Sequence, residues 1–222
     1  MKKIAIMTAG GDCAGLNAAI KSVVMAASKN NIVVVGIIDG FIGFVERKYM
    51  VLDNKIVENI ERQGGTILGS SNKECPFHYP SKEKKDEYED RVDDSIKALR
   101  KIGVEAMIII GGDGTLDSAR VIDEAGMPTI GIPKTIDNDM VASNPTIGFD
   151  TGVENAVEAI RKLKTTAASH RRVMVVEMMG RTSGYLTLYS GFAAGADIIL
   201  LPERDYDLNI VCNRVKEIMS TD

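Results

Sequence analysis

Ile108-Ile109-Ile110-Gly111-Gly112-Asp113-Gly114-Thr115 is an apolar run that passes directly into a glycine turn bearing one carboxylate. A run this apolar predicts a strand buried on both faces, as in a parallel sheet. The turn after it then lies at the sheet's carboxyl edge, where open α/β folds bind ligands. The glycines let the backbone approach a phosphate closely and leave Asp113 to hold a metal ion. The same residues also fit a plain strand-to-helix turn with Asp113 or Thr115 as the cap. The functional reading gains weight because other turns of this chain repeat the design.

The next strand downstream, residues 129–132, delivers Pro133-Lys134-Thr135-Ile136-Asp137-Asn138-Asp139, a lysine, a threonine and two acids on one loop. Asn and Asp are ordinary turn residues, but a plain turn has no need of the lysine beside them. Upstream, the apolar residues 3–8 lead into Ala9-Gly10-Gly11-Asp12, and residues 17–29 then form an amphipathic helix. Gly10 and Gly11 suit a phosphate at a helix N-terminus. A Walker loop is excluded, because Ile20 stands where the glycine before Lys21-Ser22 would have to be.

Residues 32–38 read as a buried strand, 48–55 as an edge segment or hairpin and 56–62 as a short helix. Gly64-Gly65-Thr66-Ile67-Leu68-Gly69-Ser70-Ser71 is a second loop suited to oxyanions, and residues 72–86 read as a solvated loop or lid. Tyr88, Val92, Ile96, Leu99 and Ile102 recur at helical spacing and predict a core-facing stripe stopped by Gly103. Further on come a helix with Val153, Val157, Ile160 and Leu163 inward, strands at 173–178 and 198–201, and helices at 185–194 and 209–219. Between them lies Met179-Gly180-Arg181-Thr182-Ser183-Gly184, a glycine turn that carries a cation. This alternation predicts an α/β fold with a mostly parallel sheet between helical layers.

The 222 residues are 45% hydrophobic and 26% charged, as in ordinary globular proteins, and the net charge of −4 argues against a nucleic-acid or anionic-membrane surface. No apolar run approaches the ~18 residues of a membrane span. Residues 4–8 are too short for a signal-peptide core, so a cytoplasmic protein is expected. Cys13, Cys75 and Cys212 are odd in number and far apart, like free thiols in a reducing compartment. Neither His78 nor His170 has the company of a zinc site.

Loops that leave the same edge of a parallel sheet converge, so they form one inventory: backbone N–H donors, carboxylates, a lysine and arginines. No Ser–His or Cys–His pairing offers a covalent nucleophile, and no GxGxxG follows any strand. Phosphoryl transfer fits, because it requires positioning, charge neutralisation by Mg²⁺ and cations, and a carboxylate to take a hydroxyl proton.

With Thr8-Ala9-Gly10-Gly11-Asp12, Gly15-Leu16-Asn17, Gly148-Phe149-Asp150-Thr151 and Met179-Gly180-Arg181 added to GGDGT and PKTIDND, the chain resembles the 6-phosphofructokinases of the A type over nearly its whole length. The resemblance implies a three-layer α/β/α fold of two lobes, residues 1–140 binding the donor and 141–222 forming an incomplete sugar-phosphate lobe. It implies phosphoryl transfer from ATP-Mg to the 1-hydroxyl of fructose 6-phosphate. Asp137 would be the general base, with Thr135 beside it and Arg181 on the transition state. Asp113, with Asp139, would hold Mg²⁺. Gly11, Asn72, Lys73, Gly112, Gly114 and Thr115 would surround the donor. Thr135, Asp137, Arg172, Met179, Gly180 and Arg181 would bind the sugar phosphate, Arg172 across the interface of a homo-oligomer, a dimer or tetramer.

Gly114 and Lys134 bear on donor choice. Glycine leaves room for the α-phosphate of ATP, whereas Lys134 accommodates ATP or pyrophosphate, so ATP is the expected donor and pyrophosphate the alternative. Asn72 stands where the family usually has an arginine, and Phe41 where an ATP-stacking tyrosine is common. Met25 and Asn54 replace effector-binding arginines, which predicts weak or absent regulation of that type. Family members also carry later pocket residues that this sequence lacks, so a catalytically impaired nucleotide-binding fragment is a further alternative.

Overall fold

The computed structural model describes residues 1–72, 75–81, 86–141, 143 and 145–221. The chain divides into two compact units, Met1–Thr135 and Ile136–Asp222. Among the described residues no helix is long and apolar enough to cross a membrane.

In the first unit, strands β1 (Lys3–Thr8), β2 (Val33–Ile37), β3 (Tyr49–Leu52), β6 (Ala106–Gly111) and β7 (Thr129–Thr135) line up as β3-β2-β1-β6-β7, and a small pair, β4 (Tyr79–Pro80) and β5 (Tyr88–Glu89), stands apart. The β2–β1, β1–β6 and β6–β7 ladders are parallel, and only the edge strand β3 runs antiparallel. In register, Ile6 lies opposite Ile108 and Ile110 opposite Ile132. The turns after β1 and β6 and the last residues of β7 therefore share one edge.

The period-2 alternation of β1 sorts the core into two layers. Ala5 and Met7 join Val35, Ile37, Met107 and Ile109 beneath helices α2 (Phe41–Glu46), α3 (Val92–Lys101) and α4 (Asp113–Glu124). Ile4 and Ile6 point the other way, to Leu16, Ile20 and Val24 of α1 (Leu16–Lys29) and Ile60 of the 3₁₀ turn Ile60–Arg62. Ile6, Met7, Leu16, Ile20 and Ile109 are completely buried. At roughly 25 cal/mol per Å² of apolar surface, burial of this kind is the main term holding the layers together.

Several sequence expectations change. Residues 56–62 form turns and one 3₁₀ turn rather than a helix, with Ile56 N bonded to the Asp53 carboxylate at 2.8 Å. The α3 helix begins at Val92, with Arg91 at its N-cap, directly after a turn in which Asp90 Oδ1 accepts Val92 N at 2.9 Å. Tyr88 thus falls in β5, is 55% exposed, and stacks on His78 at 3.8 Å instead of joining the core. Ile102, beyond the helix end, is also exposed. The α2 helix was unanticipated, although Phe41, Phe44 and Val45 carry its buried i, i+3, i+4 spacing.

The second unit holds a two-residue strand β8 (Ile147–Gly148) and helices α5 (Phe149–His170), α6 (Tyr185–Ala193) and α7 (Leu208–Thr221). Val157 and Ile160 of α5 pack with Ala194, and Phe149 meets Tyr189 edge-on at 5.4 Å. Leu163, expected inward, is exposed. The expected strands at 173–178 and 198–201 do not form. A strand exists only as one side of a ladder, and neither segment has a ladder partner among the described residues. Val173 and Val175 are accordingly exposed.

Candidate active site

The β1 turn is built to leave space above its backbone. Gly10 has φ +81°, a left-handed conformation in which a side chain is strained, and a Cβ there would lie 3.3 Å from Thr115 Oγ1. Gly11 is exposed, and a Cβ on it would meet nothing within 4 Å. Its carbonyl accepts a hydrogen bond from Lys134 Nζ, whose side chain is buried. The β7 lysine therefore clasps the β1 turn. Cys13 follows in the same turn; burial pushes its thiol pKa up, Lys134 pulls it down, and Asp12 adds a smaller upward push.

The β6 turn passes straight into α4, so Asp113, Gly114 and Thr115 are the first helical residues rather than a free loop. No side chain caps that end, and the first-turn N–H groups are open to an anion. Asp113 and Gly114 are exposed, Thr115 is buried, and Ser118 donates to Gly114 O at 3.1 Å. A Cβ at Gly114 would also find open space. Asn72 is exposed, Lys73 lies outside the described residues, and Thr135 is the half-buried last residue of β7. Phe41 is buried in the core and offers no stacking face.

A second cluster belongs to the second unit. Ser183 Oγ donates to the carbonyl of Asp137 at 2.8 Å, and Ser183 N donates to Gly180 O at 2.8 Å. One buried serine thereby holds the acidic loop to the cationic turn. Asp137 is half-buried, with Oδ1 shielded from water. Asn138, at φ +51°, accepts Thr146 N at 3.1 Å and folds the loop back on itself. Gly180, at φ +142°, is the kind of position that only glycine occupies without strain, and Arg181 follows, exposed. Met179, Gly180, Arg181, Ser183 and Thr187 line a cleft of about 210 Å³. Asp139 opens onto another, of about 350 Å³, with Tyr185 and Tyr189. Arg172, exposed, follows the α5 terminus.

The sequence-predicted residues thus fall into two sets. Gly11, Gly112, Asp113, Gly114, Thr115 and Lys134 come together on the first unit, and Asp137 with Gly180 and Arg181 on the second. Asp113 and Asp139 belong to different units. Among the described residues no group of three or more acidic, histidine or cysteine side chains gathers around a metal position. Sequence reasoning gave no role to Ser183, Asn17 or Ser70, whose bonds span 46 to 60 residues of chain.

The phosphofructokinase family model matches residues 3–222. The chain belongs to the phosphofructokinase family. It is 47% identical over 220 residues to the ATP-dependent 6-phosphofructokinase 2 of Clostridium perfringens, covering 98% of this chain and 60% of that protein. It is 46% identical over 217 residues to the ATP-dependent 6-phosphofructokinase of Streptococcus thermophilus, covering 98% and 61%. The chain thus spans about 60% of the length of the curated relatives it matches. Among solved structures, Saccharomyces cerevisiae phosphofructokinase matches all of this chain and 32% of its own, with a TM-score of 0.86 and 29% identity. The pyrophosphate-dependent phosphofructokinase of Marinobacter aquaeolei shares the fold, with a TM-score of 0.81 over 98% of this chain and 57% of its own at 20% identity.

Proposed function

We propose that this chain carries the donor-binding unit and part of the sugar-phosphate unit of an ATP-dependent fructose 6-phosphate 1-kinase. The observation that carries the reading is the open space over Gly11, in the β1 turn, and over Gly114, in the first turn of α4. Side chains are missing where a triphosphate needs room, and main-chain N–H groups face that room. The named relatives use ATP.

In this reading the backbone at Gly11 and at residues 112–115 holds the donor phosphates, with Asn72 and Lys73 alongside. Asp113 would hold Mg²⁺ on those phosphates, helped by Asp139, and the ion would supply charge neutralisation of the transferring group. Met179, Gly180 and Arg181 orient the sugar phosphate, and Arg181 balances charge as the phosphoryl group moves. The 1-hydroxyl oxygen attacks the γ-phosphorus, the bond from that phosphorus to the ADP oxygen breaks, and the hydroxyl proton passes to Asp137, with Thr135 beside it. Arg172 reaches a neighbouring subunit's sugar site in a homo-oligomer. Lys134, fastened to Gly11, shapes the donor turn.

Phosphorus NMR with fructose 6-phosphate and Mg²⁺, with ATP in one sample and pyrophosphate in another, tests the proposal. ADP and fructose 1,6-bisphosphate in the first sample only is the expected result. Turnover with pyrophosphate would overturn the reading of Gly114. Binding of ATP without turnover would identify a nucleotide-binding fragment.

A further inference from the structure

The donor turn does not hold itself. Beside it runs the segment 63–71, turned by Gly65 and Gly69, both at φ +69°. A Cβ on Gly65 would lie 3.6 Å from Asp12 Oδ2, so the segment passes directly along the β1 turn. Ser70 Oγ donates to Gly10 O at 2.5 Å, and Gly10 N donates to Ser71 O at 3.0 Å. Thr8 Oγ1 reaches Gly69 O at 2.8 Å and Thr66 Oγ1 at 2.9 Å. Gly10 is therefore bonded at both its N–H and its carbonyl to this one segment.

A buried amide adds its own ties to the start of the segment. Asn17, in the first turn of α1, is only 2% exposed. Its Nδ2 lies 3.1 Å from Gln63 O and 3.5 Å from Gly64 O, and its Oδ1 accepts Ile67 N at 2.8 Å. An asparagine is a poor choice for a buried helix position unless both ends of its amide are in use. Here donor and acceptor ends fasten opposite sides of the 63–67 turn, a geometry that neither aspartate nor leucine reproduces.

We infer that Asn17 is a positioning residue for the phosphoryl donor, acting through segment 63–71 and Ser70 on the Gly10–Gly11 turn. The inference rests on the function proposed above and adds residues that touch no donor themselves. Without the amide, the 63–67 turn loses the three bonds that Asn17 makes to it, the Ser70 bond to Gly10 loosens, and the N–H groups at Gly11 are less firmly fixed before the donor arrives. Ordering them then detracts from binding.

The test uses MgATP titration calorimetry together with limited trypsin digestion, following the Arg62–Gln63 bond by mass spectrometry. Arg62 is exposed and adjoins the anchored turn. Asn17→Ala and Ser70→Ala are compared with Leu99→Ala, a fully buried α3 position that lowers stability without touching the segment. Asn17→Ala is expected to bind MgATP about tenfold more weakly. It should also be cut after Arg62 several-fold faster, and MgATP should slow that cut in the wild type more than in the variant. Ser70→Ala should weaken MgATP severalfold even if Asn17→Ala proves too unstable to isolate, and Leu99→Ala should keep wild-type affinity. Wild-type affinity in Asn17→Ala or in Ser70→Ala overturns the inference, as does equal weakening in Leu99→Ala. A wild-type chain that binds no MgATP overturns the proposed function itself.

Discussion

Ser183 donates its hydroxyl to the main-chain carbonyl of Asp137 across 2.8 Å, while its own N–H is bonded to Gly180. Two loops separated by more than forty residues of sequence are thereby set against each other, one bearing an acid and the other a cation. The side chain is buried, so its removal leaves a carbonyl in a poorly solvated place. Ser183→Ala should destabilise the chain by about 1–2 kcal/mol. Urea unfolding checks this, and unchanged stability would mean that the loops are held by something other than this serine.

Gly114 allows a cleaner separation of folding from binding. It is helical, exposed, and bordered by empty space, so a side chain costs nothing sterically. An aspartate there replaces a poor helix former and puts a negative charge at a helix N-terminus, which together favour the fold by about 0.5–1 kcal/mol. The same charge would stand where the donor phosphates approach. Gly114→Asp is therefore predicted to melt at or above the wild-type temperature while MgATP affinity falls at least about tenfold. Retained affinity in calorimetry would remove donor selection from Gly114.

These residues also mark what a sequence reveals. The apolar runs at 3–8 and 108–110 are local patterns, and both read correctly as strands because a buried parallel strand leaves the same trace wherever it occurs. The glycine turns were legible for a similar reason, since positive φ at Gly10 and Gly180 demands glycine. The failures were non-local or competitive. Residues 173–178 have the composition of a strand, but a ladder requires a partner that composition does not name. Tyr88 has helical spacing, yet it pairs in β5 and the Asp90 turn separates it from the helix. The roles of Asn17 and Ser183 depend on hydrogen bonds to distant main-chain atoms, which no spacing rule encodes.

Cys13 gives the donor turn a titratable reporter. Burial raises its thiol pKa above the ordinary 9.0, and the Lys134 ammonium opposes that shift without cancelling it. A raised pKa means that the folded chain holds this proton more tightly than the unfolded chain. The associated stability is fully present below about pH 9 and is lost as the pH rises through the folded-state value. Iodoacetamide alkylation of Cys13, followed by mass spectrometry in native protein, should have its midpoint above 9.0. A midpoint at or below that value would show the turn to be open to water.

Asp137 bears the only proton transfer in the proposed reaction, and its consequences differ from those of every donor-turn residue. Its backbone carbonyl makes the bond to Ser183, so exchanging the carboxylate for an amide leaves that tie in place. The amide is nearly the same size and cannot accept the hydroxyl proton. For an enzyme whose general base is lost, kcat falls by roughly 10²–10⁴. MgATP binding is assigned to groups on Met1–Thr135 and to Asp139, not to the Asp137 carboxylate. Asp137→Asn should thus depress turnover of fructose 6-phosphate by that range, with the calorimetric affinity for MgATP unchanged within about twofold. A parallel fall in both would assign Asp137 to donor binding or to folding, and unimpaired turnover would require another base.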